Sequence, residues 1–205
     1  DKSVNSHANL YGACISGEFF TPQLLVDPSE ASGNVAIAST YDIERYSPPA
    51  DVYWDDNDFS RFKADLDGTC NTSYATMLLN GNRKARQWNK SLDSKYAVLG
   101  NRGIEDSSYD EQDYLSSKTL LIHGSRKEWI GNICFNDNHI ELVRTFAPAA
   151  LAAINSNGTS VEDTLFAEDV DLDGEGSDVY LVMSDTGSAT GNCSDFLWEA
   201  SLSWD

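Results

Sequence analysis

The chain predicts an α+β domain: one amphipathic helix near its start, a loop-rich middle, and an antiparallel sheet late in the sequence. Three observations carry this. Val4, Ala8, Tyr11 and Ile15 fall at helical spacing, i, i+4, i+7 and i+11. Ile133 and Phe135, then Ile140 and Leu142, alternate with polar or small neighbours, the period of a half-buried strand. Between them lies Asn136-Asp137-Asn138, whose side chains bond their own backbone and suit a tight turn.

Taken in order, residues 3–16 form the helix, with Ser3 as a cap and Gly17 as its stop. Its shortness suggests the end of a longer helix. Asp27-Pro28-Ser29-Glu30 is a turn by its chemistry. Residues 33–72 are polar and irregular, a long excursion with a short helix expected near Asp58–Asp65. Ser73–Leu79 and Ala97–Leu99 are strand candidates, and Asn80–Arg83 reads as a turn. Residues 104–118 form an acidic loop. Thr119–His123 joins the hairpin as a further strand in a sheet expected over 73–144. Pro148 sits early in a short helix over Ala147–Ile154, where its missing N–H costs nothing. Residues 155–178 read as loop, and Val179–Met183 and Phe196–Trp204 as final strands. No repeat or low-complexity tract divides residues 1–205, so one domain is expected.

Thirty-three acids against fourteen bases give a net charge of −19. Such a surface opposes nucleic acid, whose phosphates need Lys and Arg opposite them, and anionic membranes for the same reason. No apolar run reaches the roughly 20 residues of a membrane span. The chain begins with Asp1 and shows no signal peptide, which suggests a processed or truncated form.

Cys14, Cys70, Cys134 and Cys193 lie far apart, without the CxxC spacing of a zinc ribbon or redox motif. An even count favours two disulfides of unassigned pairing, and an oxidising compartment; buried free thiols are the alternative. Asn71, Asn89, Asn157 and Asn192 each open an Asn-x-Ser/Thr sequon, a glycosylation candidate.

Asp169, Asp171, Asp173, Glu175 and Asp178 alternate with glycines, as in the first half of an EF-hand loop. Calcium takes six to eight oxygens and accepts such loops. The position for the closing Glu is Tyr180, with Glu168 or Asp178 as substitutes, and a plain solvated acidic loop is equally open. His123, Asp137 and His139 would suit zinc if the fold brought them together. No Gly-x-Ser-x-Gly elbow surrounds Ser125, and no HExxH, P-loop or dinucleotide motif occurs. Acid pairs such as Asp55 and Asp58 arise by chance in so acidic a chain. Trp54 and Trp88 suit sugar stacking, a subunit interface or the core. The residues point away from an enzyme.

Several segments together resemble the heads of bacterial prepilin-like proteins, the type IV pilin and type II secretion pseudopilin relatives, and the planctomycete-type prepilin-like family in particular. They are Asn9–Tyr11, Phe20–Ser29, Thr72–Ala75, Val98–Gly103 and Gly131–Glu141, in order over roughly two-thirds of the chain. The resemblance implies a helix packed on a sheet, no chemistry, and a filament of copies or related subunits at an extracellular, cell-surface or periplasmic site. It also implies a membrane-spanning stem upstream, of which only residues 3–16 would be the distal end. Pseudopilins often hold calcium in a C-terminal loop, which adds to the calcium reading of 169–178. The second expectation, from a different class, is a secreted calcium-dependent carbohydrate-binding or adhesion module.

Overall fold

The computed structural model describes residues 6–39, 62–79, 81–108, 110, 115–156, 159–168, 178–184 and 202–203. Helix α1 spans His7–Ser16. Strands β1 (Tyr74–Met77), β2 (Ala97–Asn101), β3 (Gly131–Phe135), β4 (Ile140–Val143), β7 (Leu181–Ser184) and β8 (Leu202–Ser203) make one sheet in the order β4-β3-β2-β1-β7-β8. Every pairing in it is antiparallel. Helix α2 (Gly81–Gln87) follows β1, and β5 (Ile154–Ser156) pairs with β6 (Thr159–Val161) as a separate hairpin. The expected α+β class is present.

The register sorts the side chains onto two faces. Ala75, Met77, Ala97, Ile133, Phe135, Val143, Leu181 and Met183 share one core with Trp129, Phe146, Leu165 and Phe166. Trp129 meets Phe166 edge-on at 5.2 Å between ring centroids, and Phe146 meets Phe166 likewise at 5.7 Å. Gly103 lies against the Phe166 ring, where a Cβ would overlap it. On the other face, α1 crosses β1 and β7. Ala8, Tyr11 and Ile15, the stripe legible in the sequence, are buried there with Leu25, Phe62 and Ala64. The Tyr11 hydroxyl donates to the Tyr74 carbonyl at 3.3 Å.

His7 opens the helix and is buried. Its Nε2–H donates to the Met77 carbonyl at 3.1 Å, and its Nδ1 lies 3.2 Å from the Ser184 hydroxyl. One turn of α1 is thereby tied to both strands. Burial lowers the His7 pKa to about 4, so the ring is neutral in the folded protein. The observed cap is Ser6, whose hydroxyl accepts the Asn9 N–H; Ser3 and Val4 lie outside the described residues. Gly17 does end the helix, with φ at −77°.

Several sequence expectations are corrected. Thr119–Leu121 is a 3-10 turn, with the Ser117 hydroxyl accepting the Leu120 N–H. Its buried Leu120 and Ile122 flank an exposed Leu121, which imitates strand alternation over one short turn. Of the expected turn at Asn80–Arg83, Gly81–Arg83 are instead the start of α2, because Arg83-Lys-Ala-Arg-Gln87 are good helix formers, and Asn80 lies outside the described residues. Ala147–Ile154 is no helix: a single turn from the Pro148 carbonyl to the Leu151 N–H gives way to β5, and the Ala152 N–H turns to the Lys95 carbonyl. Residues 155–178, read as loop, contain the rest of the β5–β6 hairpin. The expected helix near Asp58–Asp65 is not formed where it is described, since Ala64 bridges Cys70 in extended backbone. Of Phe196–Trp204 only Leu202–Ser203 is described, as β8.

Candidate functional site

Of the acidic loop, Asp169, Asp171, Asp173 and Glu175 lie outside the described residues. Asp178 does not: it is buried and ion-paired with Arg83, itself fully buried. The Arg83 Nε–H donates to the Asp178 carbonyl at 3.0 Å, and Nη1 reaches Glu168 at 3.4 Å. The guanidinium also sits 5.3 Å from the Tyr180 ring centroid, and the Tyr96 hydroxyl donates to the same Asp178 carbonyl at 2.9 Å. A charge removed from water this far needs its counter-charge, so Asp178 is committed to holding α2 against β7. Glu168 faces the same guanidinium.

Cys14, Cys70 and Cys134 are each unbridged, and Cys193 lies outside the described residues. Cys70 is buried with its Sγ–H directed at the Thr72 carbonyl, 3.2 Å away, and burial pushes its thiol up to about 11. Cys14 on α1 and Cys134 on β3 are half-buried, and burial raises both. These are packing thiols held protonated.

The sequons separate clearly. Asn71 is only 7% exposed; its amide nitrogen donates to the Ala36 carbonyl at 2.8 Å and its oxygen accepts the Lys63 N–H at 2.9 Å. It pins the 33–39 segment to 62–72 and offers nothing to a glycosyl donor. Asn89 is exposed after α2, bonded to the Arg86 carbonyl. Asn157 and Asn192 lie outside the described residues, as do Trp54, Asp55 and Asp58; Trp88 is about half-exposed.

His123, Asp137 and His139 are used separately. His139 bonds Asp137 through Nδ1 and faces Glu141 through Nε2 at 3.4 Å, stacked on Phe135 with centroids 4.4 Å apart. The bond to Asp137 raises the imidazole pKa, and the same bond lowers that of the carboxyl. His123 instead meets Asp27 at 3.0 Å. Among the described residues no group of three or more His, Cys, Asp or Glu is placed to hold a metal.

Around Asp27 lies a buried polar network, which sequence reasoning missed. Asn101 donates to the Asp27 carboxylate at 3.2 Å, and the Asp27 N–H donates to the Ser73 hydroxyl at 3.0 Å. That hydroxyl donates onward to Glu30 at 2.7 Å. Glu30 grips the Arg102 guanidinium with both oxygens, while the Arg102 Nε–H donates to the Thr119 hydroxyl at 2.9 Å. Burial pushes the Glu30 carboxyl up, but the hydrogen bonds and charge of Arg102 outweigh it and leave the carboxyl below its ordinary value. The network ties the 27–30 turn and the 117–123 segment to the ends of β1 and β2. Ser73 gives its proton to Glu30, not to His123, so the cluster does not form a serine–histidine relay. No spacing in the sequence links the turn at Asp27–Glu30 to the Asn101-Arg102 step, so nothing in it marked the network.

One exposed feature among the described residues is apolar. Thr76, Leu99, Cys134 and Ile140 stand opposite one another across β1, β2, β3 and β4. They share the face that α1 covers over β1 and β7. Over β2–β4 that face is open: Leu99 is 36%, Leu142 59% and Ile140 67% exposed. Isolated exposed apolar residues are ordinary; Leu99, Ile140 and Leu142 lie on one face of the sheet.

Comparison of the chain with protein-family models, with curated proteins and with solved structures finds no match.

Proposed function

We propose that the chain is a non-catalytic building block: the globular head of a pilin- or pseudopilin-like subunit, assembled into a filament at an extracellular, cell-surface or periplasmic site. The observation that carries this reading is the division of one sheet face. Helix α1 occupies the half over β1 and β7, and the adjoining half over β2–β4 is apolar and open. A subunit that meets its neighbours through its head needs such a surface; an enzyme needs a cleft with converging reactive groups. The buried polar residues support it, because Arg83, Asp178, Arg102 and Glu30 are all consumed in internal ion pairs. The resemblance of the helix and hairpin segments to prepilin-like heads points the same way.

Electron microscopy of particles isolated with the subunit in its native setting tests the proposal. Ordered polymers with heads in mutual contact are expected. Monodisperse particles that retain glycans on an array in a calcium-dependent manner would replace this reading with the binding-module one.

A further inference from the structure

Helix α1 has a core of its own. Its buried stripe packs with Leu25, Phe62 and Ala64, apart from the larger cluster that Trp129, Phe146 and Phe166 build on the opposite face of the sheet. At the end of that stripe lies His7, 1% exposed, in the first turn of the helix. The ring spans the two strands beneath it. Its Nε2–H donates to the Met77 carbonyl of β1, which leaves Nδ1 as an acceptor for the Ser184 hydroxyl of β7. The Ser184 oxygen in turn accepts the His7 backbone N–H at 3.3 Å. All of these partners are neutral. Among the described residues no carboxylate, Lys or Arg of α1, β1 or β7 bonds the ring. A proton added at Nδ1 brings a buried charge with no counter-charge, at a helix N-terminus whose dipole opposes a cation. Thr76, on the same sheet face, adds a second cost of docking: its Oγ1 is buried without a hydrogen-bond partner among the described residues.

We propose that α1 is an acid-released cover: protonation of His7 lets the helix lift from β1 and β7 as a unit while the sheet keeps its own core, uncovering Thr76 and Val182 beside the open Leu99. Thr76 is the cross-strand partner of both Leu99 and Val182, so release extends the exposed face from β2 across β1 to β7. Proteins open in cooperative units, and the units with the smallest buried apolar surface open first; the α1 cluster is the smaller of the two. A freed ten-residue helix is marginal in water, so release also melts it. The docked ring titrates near 4, and a freed ring returns to 6.5. Docking is therefore strongest above pH 6.5 and weakens as pH falls toward 4. Between pH 7 and pH 5 the constant for release rises about twentyfold. The inference does not need the filament reading: an acid-released cover requires no polymer, and heads can polymerise with the cover in place.

The test is native-state amide exchange on the chain as it stands, at pH 7 and pH 5, with each rate corrected for the intrinsic effect of pH on exchange. The amides of Tyr11 and Ile15 report on α1, and that of Phe135, bonded to the His139 carbonyl, reports on the sheet. At both pH values the α1 amides should open more readily than Phe135, and their opening constant should rise about twentyfold on acidification. His7→Asn, which keeps a side-chain donor but does not titrate, should abolish that rise. The wild-type comparison decides the matter even where the variant fails to fold. One shared opening constant for Tyr11, Ile15 and Phe135, an α1 constant unchanged between pH 7 and pH 5, or an equal rise in folded His7→Asn would each overturn the inference.

Discussion

Glu30→Gln probes the network that holds the irregular first third of the chain onto the sheet. The Glu30 and Arg102 side chains are 5% and 1% exposed, so the substitution leaves a guanidinium buried without its counter-charge. Removing one partner of such a pair costs about 3–5 kcal/mol. Two features keep the value at that level. Arg102 donates through both terminal nitrogens, and its remaining bond, to the neutral Thr119 hydroxyl, cannot balance the charge. For a domain of this size the loss lowers the melting temperature by about 6–20 °C. Urea denaturation of wild type, Glu30→Gln, Arg102→Met and the double variant measures it, and the double variant should recover about 2–3 kcal/mol through coupling. The pH dependence follows the same pair. The folded Glu30 carboxyl lies below its ordinary value of 4.5, so its contribution is complete above that pH and is lost as pH falls through the folded value. Glu30→Gln should lack that part of the acid limb. A cost below about 1 kcal/mol would equal a solvated surface pair and refute the reasoning.

Two further outcomes follow from buried groups. His7 titrates near 6.5 when unfolded but about 4 when folded, so the unfolded chain binds the proton more tightly and stability falls as pH drops from 6.5 toward 4. The loss is about 3 kcal/mol, read by melting curves across that window, and His7→Asn should flatten it; a wild type with a level profile there would place His7 in solvent. Alkylation with iodoacetamide in native buffer should spare Cys70, which is buried with a raised pKa, and modify it fully in guanidinium; native labelling of Cys70 as fast as of Cys14 would contradict its burial.

What the sequence made legible was what periodicity controls. The α1 stripe of Ala8, Tyr11 and Ile15 and the β3–β4 hairpin follow from spacing and from Asn136-Asp137-Asn138; α1 and β3 bury the face their periodicity marks, whereas on β4 Ile140 and Leu142 are exposed. Asn138 sits at φ 70°, the left-handed region Asn tolerates. Short elements were misread, because one turn of 3-10 helix at Thr119–Leu121 buries residues two apart as a strand does. The candidate site was less legible still. Glu30 and Arg102 are 72 residues apart, and Arg83 and Asp178 are 95 apart. Nothing in a one-dimensional pattern couples such pairs, so the ion pair of Asp178 and the hydrogen bonds that bury Asn71 emerge only in tertiary packing. The open face of β2–β4 was hidden for the same reason: Ile140 and Leu142 show a strand's alternation, but only the position of α1 decides which face goes uncovered.

Residue-resolved amide exchange on dilute protein tests the open edge of β4 most directly. Because the Phe135 N–H bonds the His139 carbonyl and antiparallel ladders alternate, the account predicts slow exchange at Glu141 and Val143, which face β3, and fast exchange at Ile140 and Leu142, which face outward. Equal protection of all four amides would mean that the chain covers its own edge, and would contradict it.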